Sequence, residues 1–193
     1  MSRVSTHNAQ MKHLNEIAEI LSGILPPKGA DREAVYVQIK DLRDYDSEFF
    51  RGPAPKARRA TRIAAHDLLV PSRGDQLAAF RPRPNMIGAF VGLDVYLLRP
   101  AIRRVDPDFL VIALNDMAAV RQMKASATAG ALPRIPKQAL EDVLLPLPPM
   151  EEQRRIARLG ILAADCERLQ RQRMAAEAKL NAALISRLLK TAA

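Results

Sequence analysis

The side chains of this chain that could carry covalent or acid–base chemistry are few and scattered. There is one cysteine, Cys166, and there are three histidines, His7, His13 and His66. A lone cysteine supports neither a disulfide framework nor a multi-cysteine zinc site. No paired-histidine metal motif, phosphate-binding glycine loop or dinucleotide glycine pattern occurs. Pro107-Asp108 followed by Glu177-Ala178-Lys179 has the residue types of a nuclease carboxylate set. Its second half falls in a long helical stretch far from any strand, as do Asp165 and Glu167, so it is set aside. No catalysis, metal or cofactor is expected. What remains is ionic chemistry. Lys+Arg number 30 against 21 Asp+Glu, a net charge of +9. That balance suggests a polyanion partner, with an ordinary solvated surface as the alternative. The basicity is spread, +5 over residues 1–148 and +4 over 149–193.

Those charges must be positioned by a core, and 48% hydrophobic residues allow one. Aromatics are only 4% and Trp is absent, so Leu, Ile, Val and Ala must build it. No apolar run approaches the roughly 18 residues of a membrane span, and MSRVSTHNAQ at the start has no apolar signal region. A soluble cytoplasmic protein without membrane contact is expected.

Apolar residues at 14, 17, 20 and 21 have helical spacing, which predicts a helix over His13–Leu21, stopped by Gly23 and Pro26-Pro27. Ala34–Ile39 alternates and is rich in β-branched residues, so it reads as a strand. Leu68–Val70 is a short apolar strand, and Ile87–Leu98 contains a further strand pattern with VYLLRP at its end, the two separated by a loop over 71–85 that Gly74, Pro82 and Pro84 punctuate. Asp106 is placed to cap a helix with Pro107 at its first position, the apolar set running 109, 110, 113, 114, 117 and 120. KASATAGAL at 124–132 reads as loop, Pro136–Leu140 as a short helical turn and Val143–Leu147 as a strand. Strands mixed irregularly with helices predict an α+β fold.

LLPLPPMEEQRRI, residues 144–156, then marks a joint. Its prolines end a strand and open a helix, and Glu151 and Glu152 complement the positive end of the helix dipole. From there the sequence reads as helix to residue 190. A narrow apolar stripe follows it, Ile156, Leu159, Leu162, Cys166, Leu169, Ala176, Leu180, Leu184 and Leu188. So long a helix cannot bury that stripe along a domain of this size, and packing against a second helix is expected. The alternative is a helix folded back on its own domain. The layout is a domain over 1–148 and a long helix over 149–193.

The joint resembles the end of a target recognition domain from the DNA-specificity subunits of type I restriction-modification systems. Leu14–Ile20 with Gly23 looks like the opening helix of such domains, and Tyr36–Leu42 like their first strand. His66-Asp67-Leu68-Leu69-Val70-Pro71-Ser72-Arg73-Gly74 is similar to their motif of GD, apolars, a small residue and G, with His66 at the first glycine. Gly130–Ile135, Leu140, Val143 and the LPLPP string complete the pattern, which spans essentially the whole chain. The resemblance implies an α+β target-recognition domain, a coiled-coil spacer helix and a non-catalytic subunit. It implies double-stranded DNA, a modification methyltransferase and in some systems a restriction subunit as partners. One domain with one helix looks like half of such a subunit. A homodimer through Leu159, Leu162, Cys166, Leu169, Leu180, Leu184 and Leu188 would restore two domains and read a bipartite site.

Within that resemblance, phosphates call for Arg, Lys, Ser or Thr, and base edges for Arg on guanine and Asn or Gln on adenine. Arg73, Gln76, Arg81, Arg83 and Asn85 lie on one loop with that mixture. Lys124, Ser126, Thr128 and Arg134 lie on a second, and Lys56, Arg58, Arg59 and Arg62 form a third cluster suited to phosphates. Two other readings stay open: a protein-interaction module on a coiled-coil stem, and an isolated recognition domain of a fused restriction-methylation enzyme.

Overall fold

A computed structural model describes residues 9–29, 33–44, 46–55, 60–74, 77–128, 130 and 133–191, with side chains as far as 187. The described residues open with β1 (Gln10–His13), one turn of helix α1 (Leu14–Ile17) and β2 (Ala18–Ser22). β3 (Glu33–Val37), β4 (Phe50–Pro53), β5 (Leu68–Pro71), β6 (Phe90–Val91) and β7 (Val95–Pro100) follow. Three short helices come next, α2 (Pro107–Asn115), α3 (Met117–Ala125) and α4 (Lys137–Glu141), then β8 (Leu144–Leu147) and the 42-residue α5 (Met150–Thr191). Helix makes up 43% and strand 24% without regular alternation, so the fold is α+β.

The strands form three small sheets among the described residues. β2, β7 and β5 make an antiparallel sheet in that order. β4 and β6 flank β3, antiparallel and parallel respectively, and β1 pairs with β8. The central sheet is covered on both faces, and side-chain alternation divides its residues between two cores. Leu68, Val70, Tyr96 and Leu98 join Leu14, Ile17, Phe109, Leu110, Leu114 and Met123 on the helical side. Leu69, Val95 and Leu97 join Val37, Ile63, Met86 and Val91 on the other. Burial on both faces is why Leu68–Val70 and Val95–Leu98 read as unbroken apolar runs.

The helix expected over His13–Leu21 is only its first turn. Leu14 and Ile17 are buried in that turn, but Ala18 and Ile20 bury by strand alternation, with Glu19 exposed between them. β2 pairs with β7 over five residues, Ala18 opposite Pro100 through Ser22 opposite Tyr96. The apolar spacing fits either state, and a long-range sheet pairing decides it. The helical run from 107 is also divided. Asp106 accepts from the backbone N–H groups of Asp108 and Phe109 at 3.0 and 3.1 Å, as its cap position predicts. Asp116 then stops α2 and caps α3 through the Ala118 N–H at 2.8 Å. The third helix carries on through Lys124 and Ala125, which the sequence places in a loop.

The joint is held by one side chain. Gln153 is 1% exposed. Its oxygen accepts from the Asp106 N–H at 2.8 Å, and its amide donates to the carbonyls of Arg104 at 3.1 Å and Pro148 at 2.8 Å. One glutamine thus pairs a donor and two acceptors that would otherwise be unsatisfied in a part-buried seam. Four residues on, Ala157 is buried against the helical-side core. At Gly160 an added Cβ would lie 2.2 Å from Ile112 Cδ1. Glycine inside a helix costs about 1 kcal/mol relative to alanine, and here it lets α5 approach α2. Beyond it, from Ile161 to Arg187, every side chain is exposed. The helix leaves the body and does not fold back on it. No helix among the described residues is long and apolar enough to cross a membrane.

Candidate nucleic-acid interface

The last strand of the central sheet hands the chain to a polar edge. After Pro71 the Ser72 N–H donates to the Asp94 carbonyl at 2.8 Å, and the Ser72 carbonyl accepts from the Ile135 N–H at 2.8 Å. Arg73 and Arg134 face each other in an isolated antiparallel bridge. Gly74, at φ +102°, turns the chain in a conformation that favours glycine and donates to the Pro133 carbonyl at 3.1 Å. Thr128 and Arg134 exchange two bonds, Thr128 N–H to the Arg134 carbonyl at 2.9 Å and Arg134 N–H to Thr128 Oγ1 at 3.1 Å. From below, the buried Tyr96 hydroxyl donates to the Ile135 carbonyl at 2.8 Å. Segments distant in sequence are thereby laced into one edge.

Two arginines converge on that edge around a carboxylate. Arg73 Nη2 lies 2.6 Å from Asp94 Oδ2, and Arg134 Nη1 lies 3.7 Å from Asp94 Oδ1. Both arginine side chains are 45% exposed and the Asp94 side chain 24%. Exposed ion pairs contribute about 0–1 kcal/mol, so these orient the guanidiniums more than they stabilise the fold. Beside them opens a cleft of about 420 Å³ with Gln38 and Lys40 on its wall and Leu25 and Leu93 among its apolar lining. Lys124, Ser126 and Thr128 are exposed on the end of α3 and the loop after it.

The loop over 77–86 treats its arginines differently. All three guanidinium nitrogens of Arg81 have partners within the body. Nη1 donates to the Asp67 carbonyl at 3.0 Å, Nη2 to the Ala65 carbonyl at 3.0 Å, and Nε pairs with Asp108 at 2.9 Å. Arg83 donates to the carbonyls of Asp44, at 3.2 Å, and Asp41. Asn85 is exposed on a short 3-10 turn. Lys56, Arg58, Arg59 and Gln76 lie outside the described residues, as does the side chain of Leu188.

The His66-Asp67 motif also has a structural account. Asp67, 1% exposed, accepts from the Ala64 N–H at 2.8 Å and from Arg99 Nε and Nη2 at 2.9 and 2.8 Å. Those bonds donated to Asp67 hold the Arg99 pKa above its ordinary value, against the opposing effect of burial. His66 is exposed, and no non-glycine residue described has a positive φ, so its turn does not need the motif's glycine.

On α5 the expected dimerisation residues are turned to solvent. Leu159 and Leu162 are each 61% exposed, Leu169 is 56% and Leu180 60%. Leu184 and Cys166 are exposed as well. Ile156, which opens the same apolar stripe, instead packs against the core of the body.

Sequence reasoning missed Asp94, Gln153 and Gly160. Only Gly160 carried a local signal, a glycine inside an otherwise strong helical pattern. No group of three or more potential metal ligands occurs among the described residues.

The comparisons agree with this architecture. A family model described as the type I restriction modification DNA specificity domain matches residues 7–159. No curated protein sequence matches. Among solved structures, the HsdS subunit from Thermoanaerobacter tengcongensis superposes with a TM-score of 0.68 at 23% identity. That match covers 93% of this chain and 48% of the other. A chain from a structure on complex assembly and conformational transition of the type I R-M system gives 0.66 at 22% identity, over 86% and 45%. The S subunit of a type I restriction-modification system from M. genitalium gives 0.57 at 16%, over 88% and 42%. The chain therefore spans less than half the length of these relatives.

Proposed function

We propose that this chain, which belongs to the family of type I restriction-modification DNA specificity domains, reads double-stranded DNA for a partner methyltransferase, through the edge built by Arg73, Arg134 and Thr128. The carrying observation is the convergence of two half-exposed arginines from separate loops on one rigid edge. Lys124 and Ser126 extend that edge with groups suited to phosphate and sugar contacts, which position a protein on the duplex. Asn85 stays a candidate on its exposed turn, and Lys56, Arg58, Arg59 and Gln76 stay candidates from sequence alone. Arg81 and Arg83 are left out, because their guanidiniums are engaged within the body. The family confers specificity and is in general not catalytic, and this chain is read the same way.

The second half of the proposal concerns α5. At about 1.5 Å per residue its 42 residues extend about 63 Å. Its first turns, clamped by Gln153, belong mechanically to the body of residues 1–148, and the rest of 149–193 is a free spacer. The exposed stripe from Leu159 to Leu184 suits a coiled coil with a second copy, which would place two reading edges on a bipartite site. A methyltransferase subunit, and a restriction subunit where the system has one, would dock on the assembled pair in the cytoplasm.

Titration of labelled duplex DNA at two salt concentrations, with and without the methyltransferase, tests the reading. Binding that weakens steeply with salt is expected; salt-independent or absent binding contradicts it and favours a protein-interaction module. Pairing is tested separately. Leu162→Asp with Leu169→Asp should give a monomer by light scattering, and an unchanged dimer would place the interface elsewhere.

A further inference from the structure

We infer that the Arg73–Asp94–Arg134 cluster is a guanine-reading site, with Asp94 as the residue that positions both arginines for the base edge. The inference rests on the proposed DNA-binding role and goes further, naming the base and the positioning group.

Three observations carry it. First, the backbone around the cluster is fixed. Ser72, Asp94 and Ile135 are joined by main-chain bonds, and Arg73 and Arg134 sit opposite each other in a bridge. The two arginines therefore have a set origin and a common direction. Second, one carboxylate engages both guanidiniums, at 2.6 and 3.7 Å. Immobilising a rotamer-rich side chain on binding costs conformational entropy, and Asp94 reduces that cost for two arginines at once. Each guanidinium carries more donors than one carboxylate can occupy, so outward N–H groups remain.

Third, the sign of the charge separates base from phosphate. A carboxylate between the two cations weakens their pull on an approaching phosphate and leaves their donors free for a neutral acceptor. The guanine edge in the major groove is neutral and offers two acceptors, O6 and N7, matching an arginine fork. Adenine offers one acceptor and one donor on that edge, and thymine one acceptor and a methyl group. Lys40 on the wall of the adjoining cleft and exposed Lys124 are left to meet the flanking backbone. Asp94 thus weakens attraction to DNA in general and directs what remains toward guanine.

The consequence runs against simple charge counting. Asp94→Asn removes a negative charge, so binding to bulk duplex DNA should rise a few-fold, while the arginines lose their fixed orientation. The experiment uses the chain in complex with its methyltransferase. Selection from random-sequence duplexes first gives the half-site bound by the wild type. Each guanine of that half-site is then replaced by 7-deazaguanine, which lacks N7.

For the wild type, replacing one guanine should cost about three- to tenfold in affinity, because losing N7 removes one of the two acceptors of a bidentate contact. In Asp94→Asn that penalty should vanish, selected-site affinity should fall about tenfold and bulk affinity should rise. Arg73→Lys, which keeps the charge and loses the fork, should lose the same penalty. Thermal melting of both variants checks that they fold. A wild type that selects a motif containing no 7-deaza-sensitive guanine overturns the inference alone. So does a folded Asp94→Asn that keeps both the penalty and the ratio of specific to bulk affinity. A wild type with no salt-dependent DNA binding overturns the underlying reading as well.

Discussion

Arg81 and Arg83 lie on one loop, Arg73 and Arg134 on two, and in sequence all four look alike. The structure separates them. Arg81 ties the 65–67 turn to the first turn of α2, and Arg83 ties its loop to residues 41–44. Arg73 and Arg134 share one carboxylate at an exposed edge. The difference is what each guanidinium meets. Arg81 and Arg83 each reach one part-buried carbonyl, that of Asp67 and of Asp41, where an acceptor left unpaired costs about 1–3 kcal/mol. A half-exposed pair with a carboxylate contributes about 0–1 kcal/mol. The first kind of arginine belongs to the fold and the second is available to a ligand.

Gln153 is the extreme of the inward class, so its loss should have the largest effect. Gln153→Ala leaves the Asp106 N–H and the carbonyls of Arg104 and Pro148 without their partner. It should cost about 2–4 kcal/mol, read as a lower thermal midpoint and faster amide exchange at the start of α5. A midpoint within error of the wild type would mean the clamp is not what holds the joint. Arg81→Ala should follow, at about 2 kcal/mol. For a chain of this size that is a fall of about 4–8 °C in midpoint. At the outward end, Arg73→Ala and Arg134→Ala should each stay within about 0.5 kcal/mol of the wild type, as surface changes usually do. A large loss of stability there would erase the distinction.

Much of the architecture was legible in the sequence, because it follows from local rules. Asp106 and Pro107 announce a helix start, LPLPP ends a strand, and the two-glutamate run opens a helix that continues as expected. Reading failed where two states share a pattern. Leu14, Ile17, Ile20 and Leu21 satisfy helical spacing, and only the pairing of β2 with β7 makes Ala18–Ser22 a strand. Arg73, Thr128 and Arg134 were legible as candidate residue types on loops. The geometry of the polar edge was not, since no local rule brings Arg73 to Arg134 or sets Asp94 between them. The same holds for Gln153. In sequence it is one letter after two glutamates, and its role depends on a loop and a helix start more than forty residues earlier in the chain.

The most direct test of the account compares the two arginine classes on DNA. Selected-site duplex is titrated with the wild type, with Arg81→Ala, and with Arg73→Ala/Arg134→Ala, each alongside the methyltransferase and well below its melting temperature. The account predicts that the double variant loses at least about tenfold in affinity, given about 1–3 kcal/mol for a good base contact, while Arg81→Ala binds as the wild type does. Loss of binding in Arg81→Ala with the double variant unaffected would contradict it.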